Sequence, residues 1–410
     1  MIPDQVMSSG IDTSPECQDN KNHCDKNISA LKLIFLLGII SLFGSFVSDA
    51  TRSVMGPFLL TLGASGAIVG LVTGLGEFSA YGLRIISGYY LDQKRKFWQT
   101  FAIGYGLLFT IPLLFFTRTW ELAAVFLISE RVGKAIRAPS RDTILSYATD
   151  TTGRGWGFGI HKSLDQIGPV IGPVFMVFML EMTGNYEAGF AYLTIPLVIM
   201  LLALLFVHRL APRPEEYESI EKSHIQKDYY DFFIPYAVYL FLIMAGFASF
   251  PIISYHMALT GIVEYTRIPL YYSLAMIMTS IIALISGRVY DRKGVAIVGV
   301  FPVLNIIIAY NIFFGMESGF FTGMILWGIQ IGMINTTLKA TIADFSNISM
   351  RGTVYGILNA VFGTSWLLGS FAIGVLYDIS VFHVMWFVVI LQMLAVIVFI
   401  RMIYVLKKRS

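Results

Sequence analysis

Charge and cysteine are both scarce in this chain. Only 13% of its 410 residues are Asp, Glu, Lys or Arg, against about 25% in a typical soluble domain. With 56% hydrophobic residues and a mean hydropathy of +0.70, too little polar surface exists to cover a water-soluble body of this length. A cytosolic enzyme and a nucleic-acid-binding domain are thereby excluded. The only two cysteines, Cys17 and Cys24, lie in the polar N-terminal stretch, which excludes a secreted disulfide scaffold. Together with His23 they supply three ligands at most, and they read as free thiols rather than as a metal site. No His-Glu-x-x-His pair, no phosphate loop ending in Lys-Ser/Thr and no nucleophile elbow occurs. No catalytic residue, metal or cofactor is therefore expected. The chain also lacks a polar segment long enough for a nucleotide-binding domain, which excludes a primary pump.

What the chain has instead is a series of apolar runs of about twenty residues, the length that spans a bilayer as a helix. Twelve are assigned, at 31–60, 65–88, 98–117, 121–146, 157–181, 187–208, 233–257, 267–287, 295–313, 318–345, 353–377 and 381–406. The longest interruption, 209–232, holds two prolines and alternating charges, and reads as a linker between six-helix halves at 31–208 and 233–406. Residues 1–30 read as a disordered tail and 407–410 as a short basic one. Loops on one side carry Lys94, Arg95, Lys96, Arg154, Arg209, Arg292 and Lys293, and those on the other only Arg118 and Arg267. The positive-inside rule then puts both termini in the cytoplasm, and the expected location is the cell membrane.

The chain also repeats itself. Gly88-Tyr-Tyr-Leu-Asp92 after span 2 returns as Gly287-Arg-Val-Tyr-Asp291 after span 8, 199 residues on. Arg154-Gly155 with Phe158-Gly159-Ile160 returns as Arg351-Gly352 with Tyr355-Gly356-Ile357, and Arg141 in span 4 matches Lys339 in span 10. A duplicated six-helix unit with an axis along the membrane normal suits alternating access by rocking about a central cavity.

These residues carry a resemblance. Gly88-x-x-x-Asp92 followed by Lys94-Arg95-Lys96, with its second copy Gly287-x-x-x-Asp291-Arg292-Lys293-Gly294, resembles the loop 2–3 signature of the major facilitator superfamily. Arg52-Ser53-Val54-x-Gly56-Pro57, Glu130-Arg131-x-Gly133-Lys134-Ala135-Ile136-Arg137 and Leu164-Asp165-Gln166-Ile167-Gly168 resemble a prokaryotic branch whose substrates the resemblance does not give. The resemblance covers spans 1 to 12. It implies a cytoplasmic gate in which Asp92 meets the start of span 11 near Gly352 and an arginine low in span 4, either Arg137 or Arg141. It gives Asp291 and Arg292 a structural part, and Arg131 a part in assisting proton transfer. It also implies a monomer. Gly168-Pro169 and Gly172-Pro173 in span 5 resemble the antiporter signature, although Met176-Val177 replace its trailing glycines, and this favours export over import. Two positions depart from the superfamily pattern: Arg95 stands where a glycine is usual, and Val295 where a basic residue is expected.

Ionisable residues inside spans are costly and mark function by default. The N-half holds most of them. Asp49 and Arg52 are three apart and share a helix face. Counting about 1.5 Å per residue puts Asp49 about 27 Å from the cytoplasmic end of span 1, and Glu77 about 18 Å from the outer end of span 2. Burial favours a protonated carboxyl and a neighbouring arginine the ionised one, so such a group binds and releases a proton within one cycle. Asp49, Arg52, Glu77 and Arg131 are the expected proton-coupling set, the alternative being a static ion pair. His161 and Asp165, one turn apart, read as an inner relay or as hydrogen-bonded packing. Glu130, Lys134, Arg137 and Arg141 form one stripe of span 4, readable as an anion path or as an ion network. Substrate contacts are expected from Gln166, Tyr271, Tyr272, Gln330, Asn335, Asn359 and Trp366.

The sequence thus predicts an all-α integral membrane protein of twelve helices in two pseudo-symmetric halves. Its expected activity is secondary active transport of a small organic solute, coupled to protons, with export favoured. A uniporter or a proton-symporting importer is the alternative, and a transporter-like receptor or lipid scramblase the remoter one. The expected partners are the solute, protons and lipid, with no nucleic acid.

Overall fold

The computed structural model describes residues 15–149, 154–210, 230–345 and 351–409. Among them every regular element is helical. Span 1 is α1 (Pro15–Thr61), and span 2 is α2 (Gly66–Gly82) followed by α3 (Arg84–Lys94). Span 3 is α4 (Phe97–Gly106) continued by 3₁₀ turns at Leu107–Thr110 and Pro112–Phe116. Span 4 is α5 (Trp120–Thr149) and span 5 is α6 (Arg154–Thr183). Span 6 joins α7 (Tyr186–Tyr192) to α8 (Thr194–Leu210), and span 7 joins α9 (Tyr230–Ala245) to α10 (Phe250–Thr260). Span 8 is α11 (Ile268–Lys293), and span 9 is a 3₁₀ stretch, Gly294–Val300, leading into α12 (Phe301–Phe314). Spans 10, 11 and 12 are α13 (Glu317–Phe345), α14 (Arg351–Ile379) and α15 (Val381–Arg409).

Local chemistry sets the breaks. Pro112 opens the second 3₁₀ turn of span 3, and Pro251 opens α10 after the bend at Gly246–Ser249, where a first-turn proline costs no helical hydrogen bond. The tail expected to be disordered over residues 1–30 is helical from Pro15 onward. Extending an existing helix adds one hydrogen bond per residue without a new nucleation cost, so span 1 carries its helix past the apolar run. The linker core at 211–229 and residues 1–14 lie outside the described residues, as do the side chains of Cys17, Cys24 and Lys339.

Both α1 and α15 end on one side of the bundle, here called the termini face. Span 7 is central, with 78% of its most apolar stretch buried, and span 12 is peripheral, with 22%. Within the N-half α1 packs on α6, α5 and α8; within the C-half α11 packs on α13, and α9 on α14 and α15. Across the halves α2 packs along α14, α6 along α11, and α1 against α10. These pairs obey the repeat, since spans 2 and 11 exchange with spans 8 and 5, and span 1 with span 7.

The halves meet most closely at the face opposite the termini. There a Cβ at Gly74 of α2 would fall 2.8 Å from the Leu367 Cα of α14, so only glycine permits this backbone approach. Asp378, near the end of α14, accepts from the first backbone N–H groups of α2, Gly66 at 2.7 Å and Ala67 at 2.9 Å. A carboxylate on a helix N-terminus satisfies two otherwise orphaned donors and opposes the helix dipole. On the termini face, α3 leaves α14 and packs against α5. Asp92, Trp156 and Lys162 are exposed there.

Candidate functional site

The N-half interior holds a continuous network of charge. At its deep end Glu77 (α2) is 3% exposed and pairs with Arg52 (α1), while Arg131 Nη1 (α5) lies 3.9 Å from the same carboxylate. Gly76 makes room for this meeting, since the Arg131 Cγ lies 3.1 Å from where a Cβ would stand. Arg131 Nε also pairs with Glu130 at 3.1 Å. Glu130, 3% exposed, in turn accepts from Ser48 Oγ at 2.7 Å and from Arg137 Nη2 at 3.3 Å. Two buried carboxylates are thus held by three guanidiniums from two helices. A small cavity lies against them, lined by Ser48, Arg52, Thr73, Glu77, Glu130 and Arg131 together with apolar side chains such as Met55, Val72 and Leu127.

Toward the termini face the network continues on α6. Asp165 accepts from Lys162 Nζ at 2.7 Å and from Ser45 Oγ at 2.6 Å. His161 Nε2 hydrogen-bonds Ser41 Oγ at 2.9 Å, and Ser41 is 3.3 Å from the Tyr105 hydroxyl. His161 and Asp165 therefore make no direct bond: each reaches its own serine on α1. These contacts depend on the span 5 motif. Gly168 lets α6 lie on the backbone of α1, where a Cβ would stand 2.6 Å from the Phe46 amide nitrogen. Gly172 faces Phe46 and Ala50 in the same way, and inside the helix Pro169 and Pro173 each follow one of these glycines.

Other predicted residues are distributed less centrally. The Tyr272 hydroxyl of span 8 donates to Asp49 Oδ1 of span 1 at 2.6 Å, a bond that crosses the two halves. Ser273 Oγ beside it donates to the Val170 carbonyl of α6 at 2.8 Å. Asp49 faces Tyr272 rather than pairing with Arg52, whose guanidinium is taken by Glu77. Tyr271 points to Glu317 at 3.5 Å near the face opposite the termini, outside the cavity. Gln330 is fully buried inside the C-half, its Nε2 on Asn305 Oδ1 at 2.8 Å, so it ties span 10 to span 9. Gln166 and Asn359 are half-buried and Asn335 is exposed. Trp366 is buried against Phe362, with centroids 5.2 Å apart, and its indole N–H has no partner.

The gate residues stand apart in this conformation. Among the described residues Asp92 makes no ion pair, Arg137 is turned to Glu130 and to the Gly104 carbonyl, and Arg141 pairs with Asp142 at 2.8 Å. Gly88 has open space where a Cβ would be, and Gly287 meets only Thr336 of its own half. Asp291 and Arg292 are exposed at the end of α11. The departure at Arg95 has a structural counterpart: Arg95 has φ 49, the only positive φ of a non-glycine among the described residues, and its repeat partner Gly294 has φ 58. Both signature loops thus turn through the left-handed region three residues after their aspartate, one with glycine and one without.

Ser41, Ser45, Ser48, Glu130 as a shared acceptor, and the cross-bundle bond of Tyr272 were not singled out by sequence reasoning. The serines recur three or four residues apart on α1, which is a readable signal. It stays silent until the facing helix is known.

Comparison with known proteins bears on the family and the fold. The profile of the Major Facilitator Superfamily matches residues 37–370. An uncharacterised protein of Mycobacterium tuberculosis is 36% identical over 379 residues, covering 90% of this chain and 92% of its own. An uncharacterised MFS-type transporter of Methanocaldococcus jannaschii is 26% identical over 377 residues, covering 88% and 91%. Among solved structures, the nucleoside transporter NupG superposes with a TM-score of 0.72 at 15% identity, covering 90% of this chain and 99% of its own. A bacterial homologue of the human lysosomal transporter Spinster, inward-facing, gives a TM-score of 0.66 at 13% identity, covering 85% and 82%. The chain belongs to the Major Facilitator Superfamily and is a multi-pass membrane transporter of small solutes.

Proposed function

We propose that the chain is a proton-coupled secondary transporter of a small organic solute in the cell membrane, with both termini in the cytoplasm. The observation that carries this reading is Glu77, a buried carboxylate gripped by arginines from two other spans at the closed end of the central cavity. In hydrocarbon surroundings an ionised carboxylate stays only while its cations stay, and an unpaired arginine is as costly as an unpaired carboxylate. Protonating Glu77 releases Arg52, which then seeks Asp49 three residues before it on the same helix face. Asp49 is bonded to Tyr272 of the other half. Charge at Glu77 is thereby linked to the contact between halves, and hence to which face is open. Glu130 and Arg131 carry the same proton state toward Arg137, while His161 and Asp165 take protons from the cytoplasmic mouth.

In this reading the termini face is cytoplasmic and the described conformation is inward-open. Asp92, Arg137 and Arg141 form the cytoplasmic gate once the halves rock the other way. Residues 31–208 and 233–406 rock as two units joined by 209–232. The close α1–α6 packing at Gly168 and Gly172 supports proton antiport, that is, export.

The test is solute-induced proton flux in proteoliposomes with a trapped pH dye, over a panel of drugs, amino acids, sugars and organic acids. Flux with one class is expected, abolished in Glu77→Gln and Asp49→Asn, while counterflow of labelled solute persists in both. Proton flux surviving in both variants would sink the coupling role. Counterflow without proton flux in the unmodified protein would make the carrier a uniporter.

A further inference from the structure

We propose that the solute is an organic anion: its acid group is held by Lys134, Arg84 nearer the mouth draws it in, and its apolar body lies on an aromatic wall formed chiefly by the C-half. This deepens the transport reading above and rests on it. Most charges in and around the N-half interior are already engaged. Each of its five carboxylates has a partner: Asp49 has Tyr272, Glu77 has Arg52, Glu130 has Ser48 and two arginines, Asp142 has Arg141, and Asp165 has Lys162 and Ser45. Two cations are left over. Among the described residues neither Lys134 nor Arg84 makes an ion pair with a carboxylate, and Lys134 makes no hydrogen bond at all. Arg84 donates only to the Ala80 carbonyl of its own helix, at 2.9 Å, and lies over the Tyr81 ring at 4.8 Å.

Their positions fit a binding role. Lys134 follows Glu130 by one turn on α5, on the same face, and is half-buried. Its charged neighbours are Arg131, Arg52, Asp49 and Glu130, three of which line the deep cavity. Arg84 stands at the α2–α3 break, among Arg137, Arg141 and Asp142, nearer the open mouth. A cation kept in a membrane interior without a partner costs several kcal/mol. An anionic ligand removes that cost by supplying the missing partner.

The neutral groups point the same way. Thr73 Oγ1 lines the cavity beside Glu77 and is buried without a partner. The Trp366 indole N–H on the facing helix α14 is also buried without one, at 5% exposure. Spare cations and spare donors, with every carboxylate taken, describe a site for an acceptor-rich, negatively charged group. The wall opposite is aromatic. Tyr81 meets Phe362 at 4.8 Å, Phe362 meets Trp366 at 5.2 Å, and Phe247, stacked on Trp327 at 5.5 Å, continues the ribbon to Phe250 and Tyr272. One end of this ribbon lies under Arg84, and the other donates to Asp49. Apart from Tyr81 these rings are at most 5% exposed in this conformation; opened as the halves rock, they would take a planar or extended apolar body.

The test measures equilibrium binding to the purified full chain in nanodiscs, with no gradient, so that it reads independently of coupling. The probes are triads sharing one body: an acid, its amide and the corresponding amine, built on indole, benzene and octyl groups. Indole-3-acetate, for example, is set against indole-3-acetamide and tryptamine. The acid is expected to outbind its amide about tenfold or more in at least one triad, which corresponds to one charge-assisted hydrogen bond. Lys134→Gln should abolish that preference and Lys134→Arg restore it, with Arg84→Gln weakening it and unliganded melting unchanged in Lys134→Arg. If no acid outbinds its amide in any triad, or if Lys134→Gln keeps the preference, the proposal fails. Acid binding that survives loss of proton flux would leave this proposal intact and overturn the coupling reading; the converse result would do the reverse.

Discussion

At the residue scale, Arg95 holds a backbone conformation that its side chain disfavours. A left-handed residue other than glycine costs about 1 kcal/mol, and the repeat partner Gly294 avoids that cost. Arg95→Gly is therefore expected to raise stability by about 1 kcal/mol, read as a higher melting temperature in detergent with transport unchanged. Glu130 is the opposite case. It is the common acceptor of Ser48, Arg131 and Arg137, so Glu130→Ala strands two buried guanidiniums and should destabilise the chain by about 3–5 kcal/mol. Glu130→Gln, which keeps the acceptor oxygen, should cost clearly less in the same denaturation experiment. The sequence marked Glu130 as one of a stripe of charges and no more. Its partner Ser48 is a small hydroxyl in an apolar helix, and nothing local to α1 distinguishes it from packing.

At the scale of elements, the α2–α14 contact is the strongest seam between the halves. It depends on the small residues Gly66, Gly70 and Gly74 and on the carboxylate cap from Asp378. Asp378→Asn removes the charge from that cap, and Gly74→Leu forces the two backbones apart. Both should shift the population toward a conformer open at the face opposite the termini. With Cys17 and Cys24 changed to Ser, spin labels at Leu62→Cys and Ser380→Cys should then report longer distances than in the unmodified background. An unchanged distance distribution in both variants would remove the seam from the conformational switch. Most elements were legible beforehand, because twenty apolar residues in a row admit one reading. The α1 extension below Ala30 was not: its residues are polar, and they are helical only as a continuation of the helix that follows. Gln330, expected at the cavity, is instead buried inside the C-half with its Nε2 on Asn305, because a polar residue in span 10 can equally bind a neighbour within its own half.

On the scale of the whole molecule, the duplication was visible as three repeats at one spacing, and the fold follows from it. The gate was visible only as motifs. Asp92, Arg137 and Arg141 do not meet in the conformation described, because a latch that forms in one state of a two-state machine leaves no contact in the other. The bond from Tyr272 to Asp49 does cross the halves in this state. Tyr272→Phe should therefore loosen coupling between them: solute counterflow is expected to continue while the number of protons moved per solute falls, measured with paired pH-dye and isotope assays.

Among the described residues the interior ion pairs all belong to the N-half, and the C-half interior offers His256, bonded to Tyr377 at 2.6 Å, and otherwise neutral side chains. Two copies of one ancestral unit have thus diverged in what mutation is allowed to touch. In the charged copy, changing one residue strands its partners, so its chemistry is frozen as a block. In the neutral copy, away from Tyr272, a substitution mostly alters shape and packing, and selection can explore it one residue at a time. New cargoes should accordingly arise by drift in spans 7 to 12. A chimera that takes those spans from the 36% identical mycobacterial relative would be expected to change which body is carried while keeping the charge class of what is carried.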